Sequence, residues 1–201
     1  MKKKTIRFLT SGLEWNRGYI GRLSREGFIY VVDQGRAIIM GFMRPGIRRL
    51  EVPALLGTKP VAEIGSDMFS DNVQLREATI PEGVERIGDR LFAHCDALES
   101  VCLPGSLENR VGMATFKDCS ALTKAVLGEG IRVIGDEMFA GCTSLKSIDL
   151  PASVQRIGNG AFRNCAALKT IRVHGQVTFG DRVFDGCGNV DVHMVPKRTD
   201  P

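Results

Sequence analysis

The chain has 201 residues, 43% of them hydrophobic and 25% charged, the balance of one soluble folded domain. A net charge of +4 falls well short of the dense Lys/Arg clustering that marks nucleic-acid binding, and aromatics at 6% leave little surface for stacking on bases or sugars. No run approaches the roughly 18 apolar residues of a membrane helix, so neither nucleic acid nor membrane insertion is expected.

The first stretch, MKKKTIRFLTSGLEWNRG, begins basic, but Arg7 breaks the apolar run Ile6 to Leu9. A secretory signal needs an uninterrupted apolar stretch of roughly 7–15 residues. The chain as encoded is therefore expected to be cytoplasmic, and surface-bound or secreted if a signal has been removed. Met1 to Gly27 show no clean period and read as extended segments and a turn, with Trp15 a lid on the core.

Phe28 to Phe42 (FIYVVDQGRAIIMGF) is two β-rich runs flanking Asp33-Gln34-Gly35, a short turn with glycine where positive φ is needed. This predicts a hairpin. Arg48-Arg49-Leu50-Glu51-Val52-Pro53 then imitates a strand that recurs later. Residues 1–60 are assigned as an N-terminal capping segment with hairpin and first irregular strand, 61–196 as about six repeated coils, and 197–201 as a polar tail.

The repeat is clearest in GDEMFAGCTSLKSIDLPASVQRIG, Gly135 to Gly158. Phe69, Phe92, Phe116, Phe139, Phe162 and Phe184 follow one another at intervals of 23, 24, 23, 23 and 22. A fixed period in the twenties signals a leucine-rich solenoid, a strand-rich α/β fold whose coils stack like residues into continuous rows. Each coil carries a strand such as Leu145-x-x-Ile148-x-Leu150, in which Ile148 and Leu150 face the same way. Pro81, Pro104 and Pro151 end that strand, with Gly128 and His174 as exceptions, and an Ile-Gly corner follows. Three residues before each phenylalanine stand Ser66, Asp89, Met113, Asp136, Asn159 and Asp181. Five of the six are N-cap types, which predicts a helix of one or two turns with the phenylalanine on its inner face. The 24-residue interval places an extra residue around Glu108-Asn109-Arg110, where a bulge is expected, and the Phe116 coil should have the least well formed helix. The 22-residue interval predicts a tightened corner near Val177-Thr178-Phe179.

The pattern Leu-x-x-Ile-x-Leu-Pro-x-x-Val-x-x-Ile-Gly-x-x-x-Phe-x-x-Cys resembles the BspA-type leucine-rich repeat, and the lead-in YVVDQGRAIIMGF and LLGTKPVAEIGSDMF resembles that family too. The resemblance covers about Phe28 to Pro196. It implies a right-handed solenoid with a parallel sheet and short helices, and a bacterial surface or secreted role in adhesion or protein binding. It supplies no catalytic residues.

Cys95, Cys119, Cys142, Cys165 and Cys187 all lie three residues after a repeat phenylalanine, and Asn72 fills that slot in the first coil. Stacked coils put such Cα atoms about 4.7–5 Å apart with parallel side chains, their Cβ atoms farther apart than the ~3.8 Å that a disulfide prefers. A straight row offers zinc no tetrahedron. Buried reduced thiols are expected, which favours a reducing compartment. Cys102, at an outward strand position, is the thiol expected to react. His94 beside Cys95 and Asp96 suggests a nucleophile pair, but adjacent residues generally face apart and a turn histidine is the better reading. His174 and His193 have no partner at metal-ligand spacing, and Gly158-Asn159-Gly160 is one corner of a coil. No catalytic, cofactor or metal residue is assigned.

The outward sheet positions are Glu77/Thr79, Ser100/Cys102, Lys124/Val126, Ser147/Asp149 and Thr170/Arg172. A second column holds Arg86, Arg110 and Arg156, with Arg132 one position away, and would suit an acidic protein partner or be a solvated edge. The last coil would show Val190, Val192 and Met194 at an open edge, a candidate for self-association or burial in another protein. The expected function is non-catalytic protein–protein interaction through these surfaces, with an exported adhesion or ligand-binding module as the alternative.

Overall fold

In the computed structural model, which describes residues 21–44 and 46–196, sixteen short strands wind into a solenoid with almost no helix. The stretch Met1 to Ile20, Trp15 included, and the tail from Lys197 lie outside the described residues. The strands leading in are β1 (Arg22–Leu23), β2 (Phe28–Asp33), β3 (Arg36–Phe42), β4 (Arg49–Glu51), β5 (Leu55–Leu56) and β6 (Lys59–Ile64). The coils follow with β7 (Glu77–Thr79), β8 (Arg86–Ile87), β9 (Ser100–Leu103), β10 (Lys124–Leu127), β11 (Val133–Ile134), β12 (Ser147–Asp149), β13 (Arg156–Ile157), β14 (Thr170–His174), β15 (Thr178–Phe179) and β16 (Asp191–Val195).

β2 and β3 pair antiparallel around Gln34 and Gly35, whose φ angles of 45° and 80° make the primed turn that suits a two-residue hairpin. β3 then pairs parallel with β6. Phe42 meets Phe69 edge-on at 5.5 Å between ring centroids, and Phe28 packs on Phe42 at 4.8 Å.

Seven strands, β4, β7, β9, β10, β12, β14 and β16, line one wall, parallel and in register wherever they pair. Their alternation turns Leu50, Ala78, Val101, Ile148 and Ile171 inward as one buried row. The corner strands β6, β8, β11, β13 and β15 line a second wall. Between the walls the six repeat phenylalanines stand in single file. Successive centroids are 5.4, 5.6, 5.4, 5.4 and 6.0 Å apart, with interplanar angles of 18° or less. Four of them, Phe92, Phe116, Phe139 and Phe162, are fully buried.

The short helices expected before each phenylalanine do not form. Among the described residues the one helical segment is a 3-10 turn at Gly105–Leu107. The segments around the phenylalanines are turns whose N–H groups reach the next coil instead of their own fourth neighbour. Phe92 N donates to Thr115 O at 2.9 Å, Phe116 N to Met138 O at 2.9 Å and Phe139 N to Ala161 O at 2.8 Å. Left-handed residues on either side of each ring aim the chain this way, such as Arg90 (φ 53°) and His94 (φ 58°) around Phe92. The cap-type side chains are turned outward along the same axis: Asp89 accepts from Met113 N at 2.9 Å and Asp136 from Asn159 N at 2.8 Å. Their acceptor role is real, but the amide they hold belongs to the following coil.

The 24-residue interval is absorbed between Leu107 and Val111. The 3-10 turn ends at Glu108 with φ 46°, so the extra residue sits in a turn and not in a strand bulge. The residue missing from the 22-residue interval is lost at Gly175 to Val177: β14 pairs β12 with an offset of 23, while β15 pairs β13 with an offset of 22. One irregularity had no counterpart in the sequence. Both strand walls break at a single level, between β10 and β12 and between Val111 and β11, while the turn bonds and stacked rings run through.

Candidate interaction surface

The inward thiols are structural. Cys95 donates to Phe69 O at 3.0 Å, Cys119 to Phe92 O at 3.1 Å, Cys142 to Phe116 O at 3.2 Å, Cys165 to Phe139 O at 3.0 Å and Cys187 to Phe162 O at 3.0 Å. Each ties its coil to the ring residue of the coil before. Asn72 does a related job within its own turn, its Oδ1 accepting from Gln74 N and Leu75 N at 3.1 Å each. All six cysteines are free thiols. Burial pushes Cys95 up to about 11 and Cys165 up to about 12, and raises Cys119, Cys142 and Cys187 as well. These groups are poor nucleophiles at neutral pH.

His94 and Cys95 face apart. The His94 side chain is half-exposed with Nδ1 3.6 Å from Asp118, while Cys95 is sealed inside. His174 lies beside Asp149 at 3.2 Å and His193 beside Asp191 at 2.8 Å, both on the outer face. Among the described residues no cluster of three or more His, Cys, Asp or Glu could hold a metal.

The outward positions of the strand wall form two rows. Register places Arg49, Glu77, Ser100 and Lys124 in one and Glu51, Thr79, Cys102 and Val126 in the other. Beyond the break, Ser147, Thr170 and Asp191 continue the first, and Asp149, Arg172 and His193 the second. The two ends are charged and internally paired. Arg49 bridges Glu77 at one end; Arg172 meets Asp149 at 3.0 Å near the other. Between them lies a centre of small and apolar side chains, Thr79, Ser100, half-buried Cys102 and Val126, the last 43% exposed, with Lys124 beside Ser100 as its one charge. Val126 borders the break in the sheet. The sequence listed these residues without distinguishing that centre, because the ion pairs that quiet the ends are made across coils.

The arginine column is less basic than its sequence suggested. Arg86 lies 3.5 Å from Glu63 and Arg110 lies 3.7 Å from Glu85. Register sets Arg86 beside Arg110 but interrupts the column on either side, with Glu63 beside Arg86 and Val133 beside Arg156, and Arg132 stands one residue out of line. Arg86, Asn109 and Arg110 line an open hollow of about 540 Å³, but Glu63 and Asp89 share it. A hollow of mixed sign is a poor trap for an anion.

The last coil carries half-buried Val190 and Val192, with Met194 57% exposed. Val192 pairs with Ile171 and Met194 with Val173, so both belong to inward rows and lack cover on one side.

No helix among the described residues is long and apolar enough to cross a membrane. Against known proteins, the model of the BspA type leucine rich repeat region matches six copies over residues 62–191. A leucine-rich repeat protein from Bacteroides ovatus superposes with a TM-score of 0.61 at 32% identity, covering 73% of this chain and 37% of its own. The chain thus spans little more than a third of that relative. The T. pallidum leucine rich repeat protein superposes at 0.75 with 29% identity, covering 86% of this chain and 82% of its own. A leucine-rich repeat protein from Eubacterium ventriosum, 21% identical with a TM-score of 0.63, shares the fold over 84% of this chain and 50% of its own. No curated protein matches the chain. The chain belongs to the BspA-type leucine-rich repeat family.

Proposed function

We propose that this chain is a non-catalytic interaction module: a right-handed solenoid, capped in front by the β2–β3 hairpin, that binds another protein on the outer face of its strand wall. The observation that carries this reading is the small-polar and apolar centre Thr79, Ser100, Cys102 and Val126, with the single charge of Lys124 beside it, between two charged, self-paired ends. An apolar or small-polar centre with a charged rim is the usual anatomy of a protein interface. The face lies on strands pinned by the rows beneath, so its geometry needs little ordering on binding. Repeat families of this kind supply binding surfaces, and the particular partner depends on the side chains displayed.

A photo-crosslinking residue at Val126 tests the proposal, with the same probe at exposed Gln155 on the corner wall as the control. The reading expects a discrete crosslinked protein from the Val126 probe in native lysate, lost when Thr79→Arg is added. Equal capture from both positions would refute the face assignment.

A further inference from the structure

We propose that a second copy of this chain pairs with the first through the outer edge of β16, antiparallel about a two-fold axis at Val192. β16 pairs with β14 on one side, and among the described residues nothing pairs its other edge. Asp191 N donates to Lys169 O at 2.8 Å and Gly175 N to Val195 O at 2.9 Å, which sets the alternation: Asp191, His193 and Val195 use their backbone groups toward β14. Val192 and Met194 therefore aim N–H and C=O at the open edge.

An antiparallel register centred on Val192 satisfies every feature of that edge together. Val192 meets its own symmetry mate and exchanges both backbone bonds with it. Met194 comes opposite Val190 of the second copy, so the half-covered inward side chains pack on one another. On the outer face Asp191 comes opposite His193 of the second copy, and His193 opposite Asp191, giving two equivalent complementary pairs that adjoin the 2.8 Å contact each chain makes between its own Asp191 and His193. Such self-complementarity is what an isologous interface requires. The shift to a centre on His193 would lose it, setting His193 against itself and Asp191 against Val195. The two-fold axis stands perpendicular to the sheet, so both interiors remain on the same side of one continuous wall.

β4 is the other end of the strand wall, and Arg49 and Glu51 flank Leu50 there in a similar way. Its inward residues are already covered, with Leu50 2% and Val52 5% exposed, against 57% for Met194. Phe179 and Phe184 add to the apolar surface at the β16 end, 6.2 Å apart, with Phe179 41% exposed. The drive for association therefore sits at β16. This pairing uses an edge and leaves the outer face free, so it stands or falls apart from the face assignment.

The test is the mass of the full chain by size exclusion with light scattering across a concentration series into the high micromolar range. The wild type is expected to be a dimer. His193→Asp sets like charges opposite each other at both pairs and should weaken the dimer about tenfold or more. That variant loses the exposed 2.8 Å contact between residue 193 and Asp191 of its own chain, but it keeps its fold because Arg172 is the in-register neighbour of residue 193 within the chain. Adding Asp191→His to it again sets a histidine opposite a carboxylate at both pairs and should restore the dimer. A monomeric wild type overturns the proposal and leaves the edge to a different protein's strand. So does a dimer indifferent to His193→Asp, or a double variant that stays as weak as the single one.

Discussion

The Cys142 thiol donates to the carbonyl oxygen of Phe116, 26 residues earlier and one coil below, at 3.2 Å. With its equivalents it joins the sulfur row to the ring row, so removing one thiol affects two coils. Cys142→Ala removes one of the two donors on that carbonyl, which keeps the bond from Cys119 N at 3.2 Å, so the loss should be about 0.5–1.5 kcal/mol. Urea denaturation should show that loss, and Cys102→Ala on the outer face should cost less than about 0.5 kcal/mol.

The same row makes the fold sensitive to alkali. The buried thiols keep their protons in the folded protein, Cys95 to about 11 and Cys165 to about 12, from a starting value of 9.0. Raised values mean that the folded state holds protons which the unfolded chain gives up. Stability is therefore full below about pH 9 and falls as pH climbs through about 11 to 12. Unfolding free energies measured from neutral pH upward should decline, and less steeply in Cys165→Ala. Thiol titration of the native protein should find Cys102 fast and the four buried thiols slow until unfolding.

In acid part of the response comes from Glu137, alongside Glu85, which the hydrogen bond from Arg36 also holds below the usual carboxylate range. The Glu137 carboxylate holds Lys117 at 2.8 Å and Arg163 at 2.7 Å, joining three coils, and the hydrogen bond from Lys117 holds it below the usual carboxylate range. A lowered value contributes stability that is present at neutral pH and lost as pH falls below about 4.5 toward the folded value. The side chains are a third exposed, so Glu137→Gln should cost no more than about 1 kcal/mol at neutral pH. The variant should also flatten the acid limb of the stability profile.

Gly141 sits at φ 76°, and a Cβ there would lie 2.0 Å from Asp118 Oδ1 in the coil below. Gly141→Ala combines an unfavourable backbone with that clash and should cost about 1–3 kcal/mol. Adding Asp118→Ala relieves the clash but not the backbone, so thermal melts should recover part of the loss.

Much of this architecture can be read from spacing alone. The phenylalanine intervals predict the single file of rings, Leu145-x-x-Ile148-x-Leu150 predicts the inward strand, and Asp33-Gln34-Gly35 predicts the hairpin turn. The helices misled because Asp89 and Asp136 look the same whether they hold an amide two residues away or one coil away. The counter-signal was present two residues after each ring: Asp71, His94, Asp118, Gly141, Asn164 and Gly186, residue types that favour positive φ and all adopt it. The quieted ends of the outer face and the break beside Val126 depend on contacts between coils, which no single repeat encodes.

The account rests on each coil donating its turn amides to the next, and amide hydrogen exchange reads those bonds one by one. The amides of Phe69, Phe92, Phe116, Phe139 and Phe162 should exchange at least about a thousandfold more slowly than that of Arg182, whose N–H makes no bond to a following coil among the described residues. Exchange of the Phe116 and Phe139 amides as fast as that of Arg182 would contradict the stacking on which everything else depends.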